Sequence, residues 1–180
     1  MVSGPMMRLG GCAAVTACDS DIYFDSYMGT HLYPFDLTHL TKKAYLHFGM
    51  KMKPYLRPRW SGIDTLELFM EGFGAYLSDC GCRTLQMEPL HGTHGVEAAR
   101  KALIQQIDAD IPVPCLLLNH RSPSLKSYEW HWFLLTGYEI FEDICMVKAI
   151  TYGTWRWLDL SELWNTGYPS KGGLILYRVV

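Results

Sequence analysis

An α+β fold, with helices first and antiparallel strands after them, is the arrangement that the 180-residue sequence predicts. Three observations point to it. Apolar residues recur at spacings of three and four up to about residue 108, the mark of helices with one inward face. Beyond Asp110 the texture changes to short apolar runs entered through prolines and glycines. The composition, 49% hydrophobic and 19% charged, supplies enough apolar material for one packed core in a chain of ordinary domain length. A single domain over residues 1–180 is expected, with a helical half over about 11–110 and a sheet half over about 111–180.

The elements follow in order. A first helix is predicted from Cys12 through Tyr27, with Val15, Cys18 and Ile22 in an apolar row, Gly10-Gly11 before it and Gly29 after it. Asp19, Asp21 and Asp25 read as its wet side. A second helix near 38–49 repeats Leu40, Ala44 and Phe48 at every fourth position and turns Lys42, Lys43 and His47 to water. The third opens at Ser61-Gly-Ile-Asp64, which resembles a capping box, and carries the stripe Leu66, Phe69, Phe73 and Tyr76. A short strand (Arg83 to Met87) precedes a fourth helix over about 95–108, with Val96, Ala99, Leu103, Ile104 and Ile107 inward. Cys115 to Asn119, reached through Pro112 and Pro114, suits a buried strand. Trp130 to Tyr138 is apolar on both alternating faces, as in a central strand. Further strands are predicted over 144–150, 153–158 and Gly172 to Val179. Asp159-Leu-Ser-Glu162 has the signature of a helix N-cap, so a short helix should run through Trp164. Asn119-His120-Arg121 reads as a strand's exit into solvent.

Charge and cysteine content narrow the function. Sixteen Lys and Arg against eighteen Asp and Glu leave a formal charge of −2, which gives no electrostatic reason to expect nucleic acid or a membrane as partner. No apolar run approaches the ~18–20 residues of a membrane helix. The stretch Met1 to Arg8 lacks the apolar region of a secretory leader, so a cytoplasmic location is expected. In such a setting the six cysteines (12, 18, 80, 82, 115 and 145) are thiols rather than staples. No cofactor signature is present.

Two residues carry the chemistry. Cys12, read as opening a helix, would sit where unpaired backbone N–H groups and the helix dipole favour a thiolate. Gly10 and Gly11 would let a substrate carbonyl approach the backbone. His131 stands in an apolar strand between Trp130 and Trp132, a base in a dry wall, with the tryptophans as candidates for the substrate wall. A competing constellation, Cys80-Gly-Cys82 with His91 and His94, has the residue types of a zinc site but a tight cysteine spacing. The plainer reading is a loop and a turn, and no metal is expected.

Gly10-Gly11-Cys12-Ala-Ala-Val-Thr-Ala17 resembles the nucleophile motif of C39-like peptidases, in the papain-like cysteine peptidase superfamily, and His131-Trp-Phe-Leu-Leu-Thr-Gly137-Tyr138 resembles that family's histidine strand. The resemblance implies a papain-like fold and a thiolate–imidazolium pair, Cys12 and His131, that cleaves a peptide or small amide through an acyl-enzyme. Where the family has an oxyanion-stabilising glutamine, this chain has Met6. Where the family has an orienting Asp or Asn, it offers Thr151, and Asp159 is the nearest later carboxylate and the candidate third member. Both differences also suit a second reading, a C39-like domain that binds a peptide or protein partner without cleaving it. The oligomeric state leaves no mark in the sequence.

Overall fold

The computed structural model describes residues 5–57, 62–151 and 153–180, the first six of them by backbone alone. It is an α+β structure with a six-stranded antiparallel sheet. In chain order the elements are α1 (Pro5–Met28), α2 (Lys42–Met52), α3 (Leu66–Asp79), β1 (Leu85–His91), α4 (Val96–Asp108), β2 (Val113–Leu117), a 3₁₀ turn (Pro123–Tyr128), β3 (His131–Phe141), β4 (Ile144–Thr151), β5 (Thr154–Asp159), α5 (Leu160–Trp164) and β6 (Gly173–Val179). The chain divides into two compact units, one holding α1 to α3, the other α4, α5 and nearly all of the sheet.

In the helical unit α1 is the centre. Ala13, Ala14, Thr16, Ala17, Cys18, Ser20, Asp21 and Phe24 are all buried, so the helix is enclosed on most of its circumference rather than along one stripe. Small side chains let neighbours approach that closely. Val15, expected inward, is 42% exposed. The acidic row is likewise not a wet side. Asp19 accepts from the Tyr45 hydroxyl (2.6 Å), which ties α2 to α1. Asp25 accepts from the Thr30 hydroxyl (2.6 Å) and from the backbone N–H groups of Leu32 (2.8 Å) and Tyr33 (2.7 Å), and so organises the loop after the helix.

The second helix begins after Thr41, whose hydroxyl accepts from the Ala44 N–H (3.1 Å), so Leu40 falls outside it and lies exposed. Its inward face is Phe48 and Met52. In α3 the predicted stripe Leu66, Phe69, Phe73 and Tyr76 is buried throughout. The helix starts directly after Thr65, and Ser61 of the expected capping box lies outside the described residues. Gly72 lets α3 sit against the chain after α2, because a Cβ there would collide with the Tyr55 carbonyl. Edge-to-face aromatic pairs, Tyr33 with Phe48 and Tyr55 with Tyr76, fill the space between.

The sheet runs in the order β1-β6-β2-β3-β4-β5. Alternation sets its packed face: Val113, Cys115 and Leu117 of β2, Phe133 and Leu135 of β3, and Cys145, Val147 and Ala149 of β4 meet Ala99 and Leu103 of α4 and Leu160, Leu163 and Trp164 of α5. The strand β2 is buried on both faces, as expected of the apolar run, but it spans Val113–Leu117 rather than Cys115–Asn119 and takes Pro114 inside it. Register is firm. Leu117 lies opposite His131, and Leu134 opposite Ile150, with a bulge between Leu135 and Gly137. Pro89 falls inside β1, longer than the predicted Arg83–Met87, and an edge strand tolerates it because one row of N–H groups there has no neighbour to bond.

Candidate functional site

Cys12 does not open a helix. The α1 helix starts at Pro5, so Cys12 is its eighth residue, in the third turn. The unsatisfied N–H groups and the positive dipole end belong to the first turn, and here the N–H groups are those of Met6, Met7 and Arg8, since Pro5 has none. At Gly10, Gly11 and Cys12 the helical pattern directs each N–H to the carbonyl four residues earlier. Those amides are therefore not oxyanion donors, and the reading of the two glycines as a substrate approach is corrected with them. Gly11 has open space where a Cβ would point, and the Cys12 thiol is half-buried.

The rest of α1 holds an unanticipated carboxyl. Asp21 is fully buried and neither carboxyl oxygen has a hydrogen-bond partner. Burial foremost, then the charges of Asp25 and Cys82, push its pKa well above the usual carboxylate range. One turn earlier, burial and then Asp21 and Asp19 raise the Cys18 thiol, which makes it an inert core residue rather than a nucleophile. Periodicity gave no hint of this, because a helix buried on most sides has no face on which to tell wet from dry.

In the sheet unit His131 opens β3 and is buried. Its Nε2 lies 2.5 Å from the Thr151 hydroxyl at the end of β4, and its ring stacks along the strand on Phe133. Burial drives its pKa down to about 4, because the cation would lose its water in this wall, so the imidazole is neutral at neutral pH. Thr151, which stands in the sequence where the resemblance implies an orienting residue, thus meets the ring.

Asp159 is not. Asp159 faces Met146 across β4 and β5, and Met146 faces Glu139 across β3 and β4. Glu139 is eight residues along the strand from His131, roughly 25 Å at the usual rise. The Asp159 carboxylate instead accepts from the N–H groups of Ser161 (2.8 Å) and Glu162 (3.4 Å) as the N-cap of α5. That role was legible in the sequence and is sufficient.

The two tryptophans part company. Trp132 is 2% exposed and has no surface to offer a ligand. Trp130 is 41% exposed and adopts a left-handed backbone (φ 53°), with its N–H bonded to the Leu118 carbonyl (3.1 Å) and its indole N–H to the Asn119 side chain (3.1 Å). A non-glycine residue at positive φ stores strain that its surroundings must hold, and such positions cluster at functional sites. Asn119 to Arg121 is no simple exit into solvent either. His120 is buried, accepts at Nδ1 from the Ser122 N–H (2.9 Å) and turns Nε2 to the Glu162 carbonyl (2.8 Å), and so stitches the strand's end to α5. That pairing fixes the proton on Nε2.

Among the described residues no group of three or more His, Cys, Asp or Glu is placed to hold a metal ion. Cys80 and Cys82 close the end of α3, with the Cys82 N–H on the Leu77 carbonyl (2.9 Å) and Gly81 at φ 70°. The His94 ring turns to the carbonyl of His91 (3.1 Å).

No family model matches the sequence, and neither a curated protein nor a solved structure matches it.

Proposed function

We propose that this chain is a C39-like domain of papain-like fold, and that it hydrolyses an amide bond of a peptide or small amide with Cys12 as nucleophile and His131 as base. The observation that carries the reading is the His131 ring, neutral in an apolar wall and oriented at Nε2 by Thr151. With Nε2 engaged, Nδ1 takes the proton from the Cys12 thiol as sulfur attacks the carbonyl carbon. The tetrahedral adduct collapses with loss of the C–N bond, and the imidazolium returns its proton to the leaving amine. Water, deprotonated by the same ring, then releases the acid and restores the thiol. A threonine hydroxyl orients the ring but brings no charge to stabilise the imidazolium, so the reading entails a slower enzyme than one with a carboxylate there.

A second reading, a domain that binds a peptide or protein without cleaving it, is favoured by one observation. The helix continues upstream of Cys12 and takes up the amides that would have formed an oxyanion hole. Losing one such donor typically costs ~10²–10³ in rate.

Alkylation separates the two. Iodoacetamide labelling of Cys12 is followed by mass spectrometry across pH in the wild type, His131→Ala and Thr151→Val. Selective labelling well below the ordinary thiol pKa of ~8.5, lost in His131→Ala and weakened in Thr151→Val, supports the hydrolase. Labelling of Cys12 with an ordinary thiol profile in all three proteins overturns it in favour of the binder.

A further inference from the structure

The near-neutral total charge conceals an uneven distribution. Residues 37–63 hold six of the sixteen Lys and Arg and none of the eighteen Asp and Glu, which leaves ten basic against eighteen acidic residues in the remainder. At the centre of that basic stretch lies α2.

Two apolar stripes run along this helix. One is inward, through Phe48 and Met52, with Tyr45 held by Asp19. The other faces out: Leu46 is 56% exposed and Met50, one turn on, is 64% exposed, with Leu40 (52%) just before the helix. At 100° per residue Leu46 and Met50 share one line, Lys42 and Lys53 flank it on one side, and Lys43 and His47 flank it on the other. All four flanking residues are exposed. Lys51 stands apart, over the Phe35 ring. A solvent-facing helix has no use for a leucine and a methionine aligned at the middle of its outer face, whereas an interfacial helix needs that order: apolar side chains enter the acyl boundary while lysine stems lie beside them and carry their charges to the headgroups.

We propose that α2 is a docking face for an anionic lipid surface, with Leu46, Met50 and Leu40 inserted and Lys42, Lys43 and Lys53 against the headgroups. The charge selects the occupant, since a face with Lys42, Lys43 and Lys53 exposed, in a stretch from 37 to 63 that holds no acid of its own, complements phosphatidylserine-like headgroups, while Asp19 beneath the helix is bonded to Tyr45 and Asp36 before it to Thr38. No helix among the described residues is long and apolar enough to cross a membrane, so contact is at the surface. The proposal is independent of the chemistry of Cys12 and His131.

Co-sedimentation of the full chain with vesicles tests it, comparing pure phosphatidylcholine with an equimolar mixture of phosphatidylcholine and phosphatidylserine. Binding is expected on the mixed vesicles only, and should weaken as salt rises from about 0.1 M to about 0.5 M and the Debye length falls from ~10 Å. Each lysine contributes about fivefold to partitioning, so Lys42→Gln with Lys43→Gln should lose roughly 25-fold. Leu46→Ser with Met50→Ser should also abolish sedimentation, while both double variants keep the wild-type circular dichroism because these side chains are exposed. Equal binding to both vesicle types, binding to neither, or binding unchanged in both double variants would overturn the proposal. Retention on heparin without retention on the mixed vesicles would do so as well, by assigning the face to a soluble polyanion.

Discussion

Replacing His131 by glutamine should change how the protein's stability responds to acid. The ring titrates near 4 in the native protein and near ~6.5 in an unfolded chain, because burial withholds solvent from the cation. Between those values the unfolded state binds a proton that the native state refuses. The sign follows: the contribution to stability is complete above ~6.5 and is lost as pH falls towards 4. The gap converts to about 3 kcal/mol, a large part of a typical domain's total stability. Glutamine is the informative substitution, since its amide can stand opposite the Thr151 hydroxyl where Nε2 stood and does not titrate. Urea unfolding of both proteins, followed by fluorescence at about pH 7, 6, 5 and 4, gives the stability difference at each pH. Subtracting the variant removes the other acid-sensitive groups, including Asp21, whose effect has the opposite sign. The wild type should lose about 3 kcal/mol relative to His131→Gln over this range, nearly all of it below ~6.5. A stability difference that stays constant from pH 7 to pH 4 would refute the reasoning, for it would mean that the ring accepts a proton inside the native wall at no cost.

Asp21→Asn should flatten a decline of the opposite sign. A carboxyl held well above its ordinary pKa keeps its proton in the native state where the unfolded chain has lost it, so the melting temperature of the wild type should fall as pH rises above the ordinary carboxylate range and that of the variant should not. Parallel curves would show that Asp21 ionises freely. Asp159→Ala removes the cap of α5 and should cost about 1 kcal/mol in denaturant unfolding while leaving the alkylation profile of Cys12 as it was. A changed profile would return Asp159 to the site. Gly72→Ala forces a methyl group against the Tyr55 carbonyl and should destabilise by about 1–3 kcal/mol, against the gain that alanine normally brings to a helix. Unchanged or raised stability would show that the packing there is loose.

Much of the fold was legible where one local rule governed. The stripe of α3 announced a helix with a single dry face, the runs at 115–119 and 130–138 announced a buried and a central strand, and Asp159 announced a cap. The failures share a cause, which is tertiary packing overriding a local signal. Gly10-Gly11 was read as a stop, yet two glycines cost a helix only about 1 kcal/mol each, and α1 runs through them to Pro5, a residue well suited to a first turn. That one boundary carried the expected thiolate environment with it. The acids of α1 read as solvated because charge usually means water, whereas Asp19 and Asp25 are bound by partners 5 to 26 residues distant along the chain. Thr151 could be located but not chosen, since only the register of β3 and β4 decides which hydroxyl reaches the ring.

The enclosure of α1 bears on how the protein comes apart. A rod that holds two adjacent glycines and a run of β-branched and aromatic residues is marginal as a helix by itself, and it carries an acid that water would gladly solvate. Its order is borrowed from the surrounding walls, so it should be the last piece to loosen locally and the first to have no shape once they open. The amide protons around Ala17 and Ser20 would then exchange with deuterium only when the helical unit opens as a whole, at a rate that reports its global stability.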